Sequence, residues 1–267
     1  MRRWLSFTVA GARCAATLDE APGAHGLLIV SGGNELRCGA HRGMAALAAR
    51  IAAAGYPVLR FDRRGVGDSE GENDGFVSSA ADIAAALALF RSACPTLTRI
   101  TAFGNCDAAT ALVLHHGAEH ADALILANPW LIDAPGDADS SLPLPAAIRA
   151  RYAARLRNPR EWLRLLRGGV DLRKLWHGLR AASVPTPASA LTKRLADAMA
   201  AIGQPLTILI AERDATAMAF AAAWQTPAFA PARGAARLRS IDSASHSFAD
   251  DVSREWLFQC VLAGLSA

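Results

Sequence analysis

Ile100-Thr101-Ala102-Phe103-Gly104-Asn105-Cys106-Asp107-Ala108-Ala109 is the stretch on which the reading of this chain turns. Its first half is an apolar run of the kind that fills a buried parallel strand. Small residues follow, and then an alanine-rich run with helical composition. A strand that turns sharply into a helix, with a cysteine at the apex, leaves three readings of Cys106. It is a nucleophile, an inert core cysteine, or the remnant of a lost serine.

The same alternation repeats outward on both sides. Residues 4–20 read as a β-hairpin turning at Gly11-Ala12. His25-Gly26-Leu27-Leu28-Ile29-Val30 reads as a second buried strand, ending in Ser31-Gly32-Gly33-Asn34. A helix is predicted over 41–54 with Gly55 closing it, then a strand over 57–62 and a glycine-punctuated loop over 63–69. Further helices are predicted over 79–92, 107–118, 215–224 and 250–263, and further strands over 99–105, 122–127, 205–211 and 236–241. This alternation implies an α/β fold with a mostly parallel central sheet and helices on both faces. Ligands bind such sheets at the carboxyl ends of the strands. Asn34, Cys106, Asp214 and His246 all follow predicted strands. Residues 131–200, with Pro135, Pro143, Pro145, Pro185 and Pro187, break the alternation. They read as a helical cap inserted between a core of residues 1–130 and 201–267.

Bulk composition narrows the class. The chain has 267 residues and is 52% hydrophobic, enough for a sizeable core. A net charge of +4, nearly all arginine, does not call for nucleic acid as a partner. Five widely spaced cysteines without a C-x-x-C suggest neither a disulfide framework nor a metal site, and they fit a reducing, cytoplasmic setting. The N-terminal MRRWLSFTVAGARCAA resembles a short signal peptide only superficially, because Arg13 interrupts it and its residues alternate as in a strand. No apolar run reaches the ~18 residues that a membrane span requires.

Nucleophilic catalysis needs a nucleophile, a base, a group that orients the base, and donors for the oxyanion. Cys106 stands where G-x-S-x-G elbows carry their serine, with Ala108 in place of the last glycine. The helix that follows favours a thiolate. Asp214 and His246 come later, in the order nucleophile, acid, histidine. Asp214 would fix the imidazole tautomer, and it could equally cap the helix that begins at Ala215. Asp242 is the alternative acid, and Glu212 the weaker one. His41 is the alternative histidine, with His115 and His116 weaker. Cys14, Cys94 and Cys260 read as buried, inert thiols. Backbone N–H groups of Asp107 and of Asn34 are the expected oxyanion donors. Asp107 could also cap its own helix, and its carboxylate would oppose a thiolate beside it.

Phe61-Asp62-Arg63-Arg64-Gly65-Val66-Gly67-Asp68-Ser69 resembles the D-x-R-G-x-G-x-S segment of serine-hydrolase-like α/β-hydrolases. Residues 31–42 and Gly104-Asn105-Cys106-Asp107-Ala108 resemble a narrower group, the exosortase A system-associated hydrolases of type 1, which carry a cysteine in the elbow. The resemblance spans nearly the whole chain. It implies an α/β-hydrolase fold and an association with bacterial exopolysaccharide and exosortase systems, with Cys106 as nucleophile, Asp214 as acid and His246 as base. In the wider fold, residues placed like Arg63 and Arg64 are structural, and they stay outside the expected catalytic set. No cofactor is expected.

Between Ala146 and Arg180, ten Arg or Lys stand against Glu161 and Asp171. Arg160, Arg164 and Arg167 share a helical face. Such a face suits an anionic substrate, a phosphopantetheine- or coenzyme-borne acyl group, or peripheral contact with an anionic membrane. A solvated arginine face is the plain alternative. The expected partner is therefore a small acyl ester or thioester, free or carrier-bound. The expected reaction is its hydrolysis, with transfer to a glycan hydroxyl as the second reading. A third is a non-catalytic scaffold with a degenerate elbow.

Overall fold

Eight strands form one sheet in a computed structural model that describes residues 1–115, 121–131 and 189–266. In chain order the elements are β1 (Arg2–Val9), β2 (Ala12–Asp19), β3 (His25–Val30), α1 (Gly43–Ala53), β4 (Val58–Phe61) and α2 (Ser79–Ala93). Then come β5 (Arg99–Asn105), α3 (Asp107–Leu114), β6 (Ala123–Ala127), α4 (Ala190–Ala201), β7 (Leu206–Ala211), α5 (Ala215–Trp224), a short α6 (Ala230–Arg233), β8 (Ala236–Ile241) and α7 (Asp251–Ser266). The sheet order is β1-β2-β4-β3-β5-β6-β7-β8. The hairpin β1–β2 joins β4 antiparallel, and all other pairings are parallel. The expected mostly parallel sheet with helices on both faces is the one observed, and most of the predicted cap, residues 132–188, lies outside the described residues.

The hairpin turn falls one residue earlier than the sequence suggests. Val9 pairs with Ala12, so the two-residue turn is Ala10-Gly11. Both adopt positive φ, 48° and 87°, as a turn matched to strand twist requires.

Parallel strands covered on both sides are largely apolar, which is why β3 and β6 read as hydrophobic runs, whereas β4 carries the buried Arg60. Alternate residues feed two separate clusters. Leu28, Val30, Ala102, Leu124, Leu126 and Ile208 pack toward α2, α3, α4 and α5. Leu27, Ile29, Phe103, Ile125 and Leu209 pack toward α1 and α7. Helix α4 begins within the stretch assigned to the cap, yet its Leu195, Ala196 and Met199 join the first core cluster. An N-cap Ser189, accepting from the Thr192 N–H at 3.1 Å, starts that helix.

The chain leaves β3 toward β4, then crosses back to β5 and proceeds outward to β8. The strand order therefore reverses between β3 and β5. Loops diverge at such a reversal and leave a crevice at the carboxyl ends of the strands. The glycine-rich loop after β3 and Cys106 after β5 stand on either side of that reversal. No helix among the described residues is long and apolar enough to cross a membrane.

Candidate active site

Cys106 sits at the end of β5 with φ 61° and ψ −126°, and α3 starts at the next residue. A non-glycine residue in that region carries strain of ~1–3 kcal/mol, held only where the surroundings over-determine it. Here the surroundings do. The Cys106 N–H donates to the Ala127 carbonyl on β6 at 2.9 Å, and its own carbonyl accepts from Ala109 at 3.2 Å. The first turn of α3 crosses so close to Gly104 that a Cβ there would lie 2.7 Å from the Ala108 carbonyl carbon. Glycine before the nucleophile is thus a packing requirement. Ala108, fully buried, fits where the G-x-S-x-G pattern has glycine.

His246 lies on the loop between β8 and α7. Its Nδ1 is 3.0 Å from Asp214 Oδ2. A carboxylate only accepts, so Nδ1 carries the proton and Nε2 is turned to other partners. The Cys106 side chain is near enough to act on the titration of the same ring. Asp214 makes both contacts that the sequence allowed it: Oδ2 also accepts from the Ala217 N–H at 2.9 Å as N-cap of α5. Burial disfavours the protonated imidazole, but the hydrogen bonds to Asp214 and Cys106 and their negative charges outweigh it. The His246 pKa is raised to about 10.

Two asparagines carry the histidine's backbone. The His246 carbonyl accepts from Asn105 Nδ2 at 3.2 Å and from Asn128 Nδ2 at 3.1 Å. Asn128, fully buried at the end of β6 with φ 43°, also accepts from the Ala211 N–H at 2.9 Å through Oδ1. It therefore ties β6, β7 and the histidine loop together. Sequence reading passed over Asn128, although an asparagine ending an apolar strand just before Pro129 was the available signal.

The alternatives lie elsewhere. Asp242 is exposed and pairs with Arg213 at 2.6 Å. Glu212 accepts from the Ser240 hydroxyl at 2.5 Å. His41 is exposed, and His115 Nε2 is 2.7 Å from the Phe76 carbonyl oxygen. His116, Arg160, Arg164 and Arg167 lie outside the described residues. Cys14, Cys94 and Cys260 have thiol pKa values raised by burial, as inert cysteines do. The described residues contain no cluster of three or more His, Cys, Asp or Glu suited to a metal ion.

The loop after β3 brings a further amide to the elbow besides that of Asn34. Asn34 is exposed, and its Oδ1 accepts from Asn73 Nδ2 at 2.9 Å. The amide that meets a negative oxygen beside Cys106 belongs to Gly33, which donates to Asp107 Oδ1. The Asp107 side chain does not cap α3, contrary to the reading from sequence. Its Oδ2 instead lies 3.1 Å from Arg63 Nη2. Arg63 is 2% exposed, and it also donates to the Ser79 hydroxyl at 2.8 Å and to the Gly33 carbonyl at 2.5 Å. The carboxylate next to the nucleophile thus has its own counter-charge. Arg63, read from sequence as purely structural, reaches the site through it. Arg64 turns away to Asp82 at 2.8 Å.

Residues 25–259 match the model of the Alpha/beta hydrolase family. No curated protein matches the chain. Among solved structures, the Pyrococcus furiosus esterase Pf2001 superposes with a TM-score of 0.64 at 16% identity, covering 100% of this chain and 90% of that one. The alpha/beta hydrolase GrgF from Penicillium sp. sh18 gives 0.63 at 17% identity over 98% and 97%. The thioesterase domain from the curacin biosynthetic pathway gives 0.59 at 15% identity over 98% and 99%. At these identities the likeness is one of fold.

Proposed function

We propose that this chain, which belongs to the alpha/beta hydrolase family, cleaves ester or thioester bonds by acyl transfer through Cys106. The observation that supports the reading is the 3.0 Å contact of His246 with Asp214 at the carboxyl ends of the strands, with Cys106 acting on the same ring. In this reading the Cys106 thiolate, beside the His246 imidazolium, attacks the substrate carbonyl. A C–S bond forms and the carbonyl π pair moves to oxygen. Collapse of that oxyanion expels the alkoxide or thiolate leaving group, which takes its proton from His246. Water then gives a proton to the neutral imidazole and attacks the thioester, releasing the acid and restoring the pair. Asp214 keeps the ring in the working tautomer and steadies its positive charge.

Superposition on an esterase and a thioesterase domain supports this substrate class. The resemblance of residues 31–42 and 104–108 to exosortase-associated hydrolases supports a place beside exopolysaccharide assembly in the cytoplasm. It also favours a second outcome, in which a glycan hydroxyl resolves the acyl-enzyme instead of water. The arginine face at Arg160, Arg164 and Arg167 would hold an anionic or carrier-borne acyl group, or rest on an anionic membrane.

The test is Cys106→Ala. Hydrolysis of short p-nitrophenyl esters should fall by at least ~10³, with the melting temperature within a few degrees of the parent. In the intact protein an activated ester should leave its acyl group on Cys106, mapped by mass spectrometry. Labelling elsewhere, or none, would favour a scaffold. Acyl-glycan formation when a glycan is supplied would favour the transferase.

A further inference from the structure

We propose that the Asp107 carboxylate is a resident occupant of the oxyanion position, and that Arg63 retains it when an acyl substrate takes its place. This rests on the acyl-transfer reading above.

An elbow of this kind stabilises its oxyanion with the N–H of the residue after the nucleophile and an N–H from the loop after the first parallel strand. In that loop, the Glu35 N–H closes a turn on the Gly32 carbonyl at 2.9 Å, and the Arg37 N–H donates to Asp62 at 2.5 Å. The Gly33 N–H already holds a negative oxygen of the residue after the nucleophile, Asp107 Oδ1. The geometry around that oxygen is close. A methyl group on Gly32 would lie 2.7 Å from Oδ1 and 3.5 Å from Cys106 Cβ. The carboxylate oxygen therefore sits in the space where an attacked carbonyl would gather charge.

Two negative oxygens cannot share one N–H at contact distance. A substrate carbonyl that becomes an oxyanion must displace the carboxylate. The displacement is made tolerable by Arg63. Its guanidinium lies 3.1 Å from the other carboxylate oxygen and is anchored by Ser79. The carboxylate can release Gly33 without losing its counter-ion. Until substrate arrives, Asp107 and Arg63 hold both the N–H and the carbonyl of Gly33. The donor stays aimed and no water need be trapped on it. No bond is made or broken in this exchange except hydrogen bonds.

The test compares two reactions of Cys106. Acylation by p-nitrophenyl acetate develops an oxyanion, whereas alkylation by iodoacetamide does not. In Asp107→Asn the shape is kept and the charge is lost. The ratio of acylation to alkylation rate constants should rise about tenfold, the difference between a charge-assisted and a neutral hydrogen bond. In Arg63→Gln the ratio should fall, and adding Asp107→Asn should restore it. A ratio that falls or stays constant in Asp107→Asn overturns the proposal and leaves Asp107 as a fixed strut of the loop. The Gly33 amide proton gives a second reading that needs no turnover. Donation to a carboxylate holds its resonance downfield, and it should move upfield in Asp107→Asn. An unmoved resonance also overturns the proposal. A wild-type protein that no ester acylates would sink the acyl-transfer reading and its oxyanion with it, whereas the Gly33 resonance would still report whether the carboxylate sits there.

Discussion

Two buried arginine–aspartate clusters flank the loop that follows β3, and they are built differently. On the β4 side, Asp62 is wholly buried and accepts from the Arg37 N–H, the Arg37 guanidinium and the Asp68 N–H. Arg37 is further held by Thr17 at 3.1 Å and Asp68 at 3.0 Å, and its carbonyl accepts from Arg60, which in turn pairs with Asp19. On the β5 side, Asp107 has one guanidinium and one loop amide, and its side chain is 11% exposed. The chemistry is the same in both places. The number of donors and the access to solvent are not. A fully buried carboxylate held by three donors is a lock, because removing one partner strands the rest. One with two partners and some exposure can exchange. Proximity to a nucleophile is therefore only half of what distinguishes the Asp107 cluster; sparse bonding is the other half.

That comparison can be pressed at several strengths. The largest effect is expected at the relay that the sparse cluster borders. Asp214→Asn should lower kcat for ester hydrolysis by ~10⁴ through the wrong imidazole tautomer. Because asparagine also caps helices, α5 should survive and the melting temperature should move little. Next comes the dense cluster. Asp62→Ala leaves Arg37 without its main counter-charge and should cost ~3–5 kcal/mol, a fall of roughly 10 °C in thermal melting. Asn128→Ala removes two buried donor contacts and one acceptor, and it should lower stability by ~1–3 kcal/mol. It should also lower kcat by about tenfold or more as the imidazole loses its seat.

The smallest effect is one of pH. The folded pKa of His246 is raised, so its protonated form adds stability that is fully present below the unfolded value near 6.5. That contribution is lost as pH rises through about 10. The melting-temperature gap between wild type and His246→Ala should therefore be widest near pH 6 and narrow toward pH 10. The ring is partly solvated, which keeps the gap modest. A gap that widened with pH would have the wrong sign for an imidazole held by Asp214 and Cys106.

How much of this was legible beforehand depends on sequence separation. The extents of β5, α5 and β8 are those expected from periodicity and turn residues. The order of Cys106, Asp214 and His246 after successive strands was also visible, because a parallel sheet delivers every strand's carboxyl end to one edge. Helix α3 was drawn too long: it ends at Leu114, where the chain leaves helical geometry at His115. The Arg63–Asp107–Gly33 triangle was invisible. It joins residues 44 and 74 positions apart, and neither periodicity nor a motif specifies which of several loop carboxylates a buried guanidinium will meet. Asp107 read as a helix cap because local rules favour that role. A non-local counter-ion and an amide beyond the local turn claimed it instead.

The asparagine pair under His246 has a practical consequence for anyone reshaping this molecule. The histidine's main chain hangs from the ends of two central strands, through Asn105 and Asn128. Asp242 and Ala244, a few residues upstream, are exposed. Between them Ser243 is buried and bonded to Arg213, Ser245 and Asp250, so the base and the segment leading to it are both mounted on the frame. The exposed side chains at those two positions can be exchanged to alter the surface beside the site, while the imidazole keeps its address.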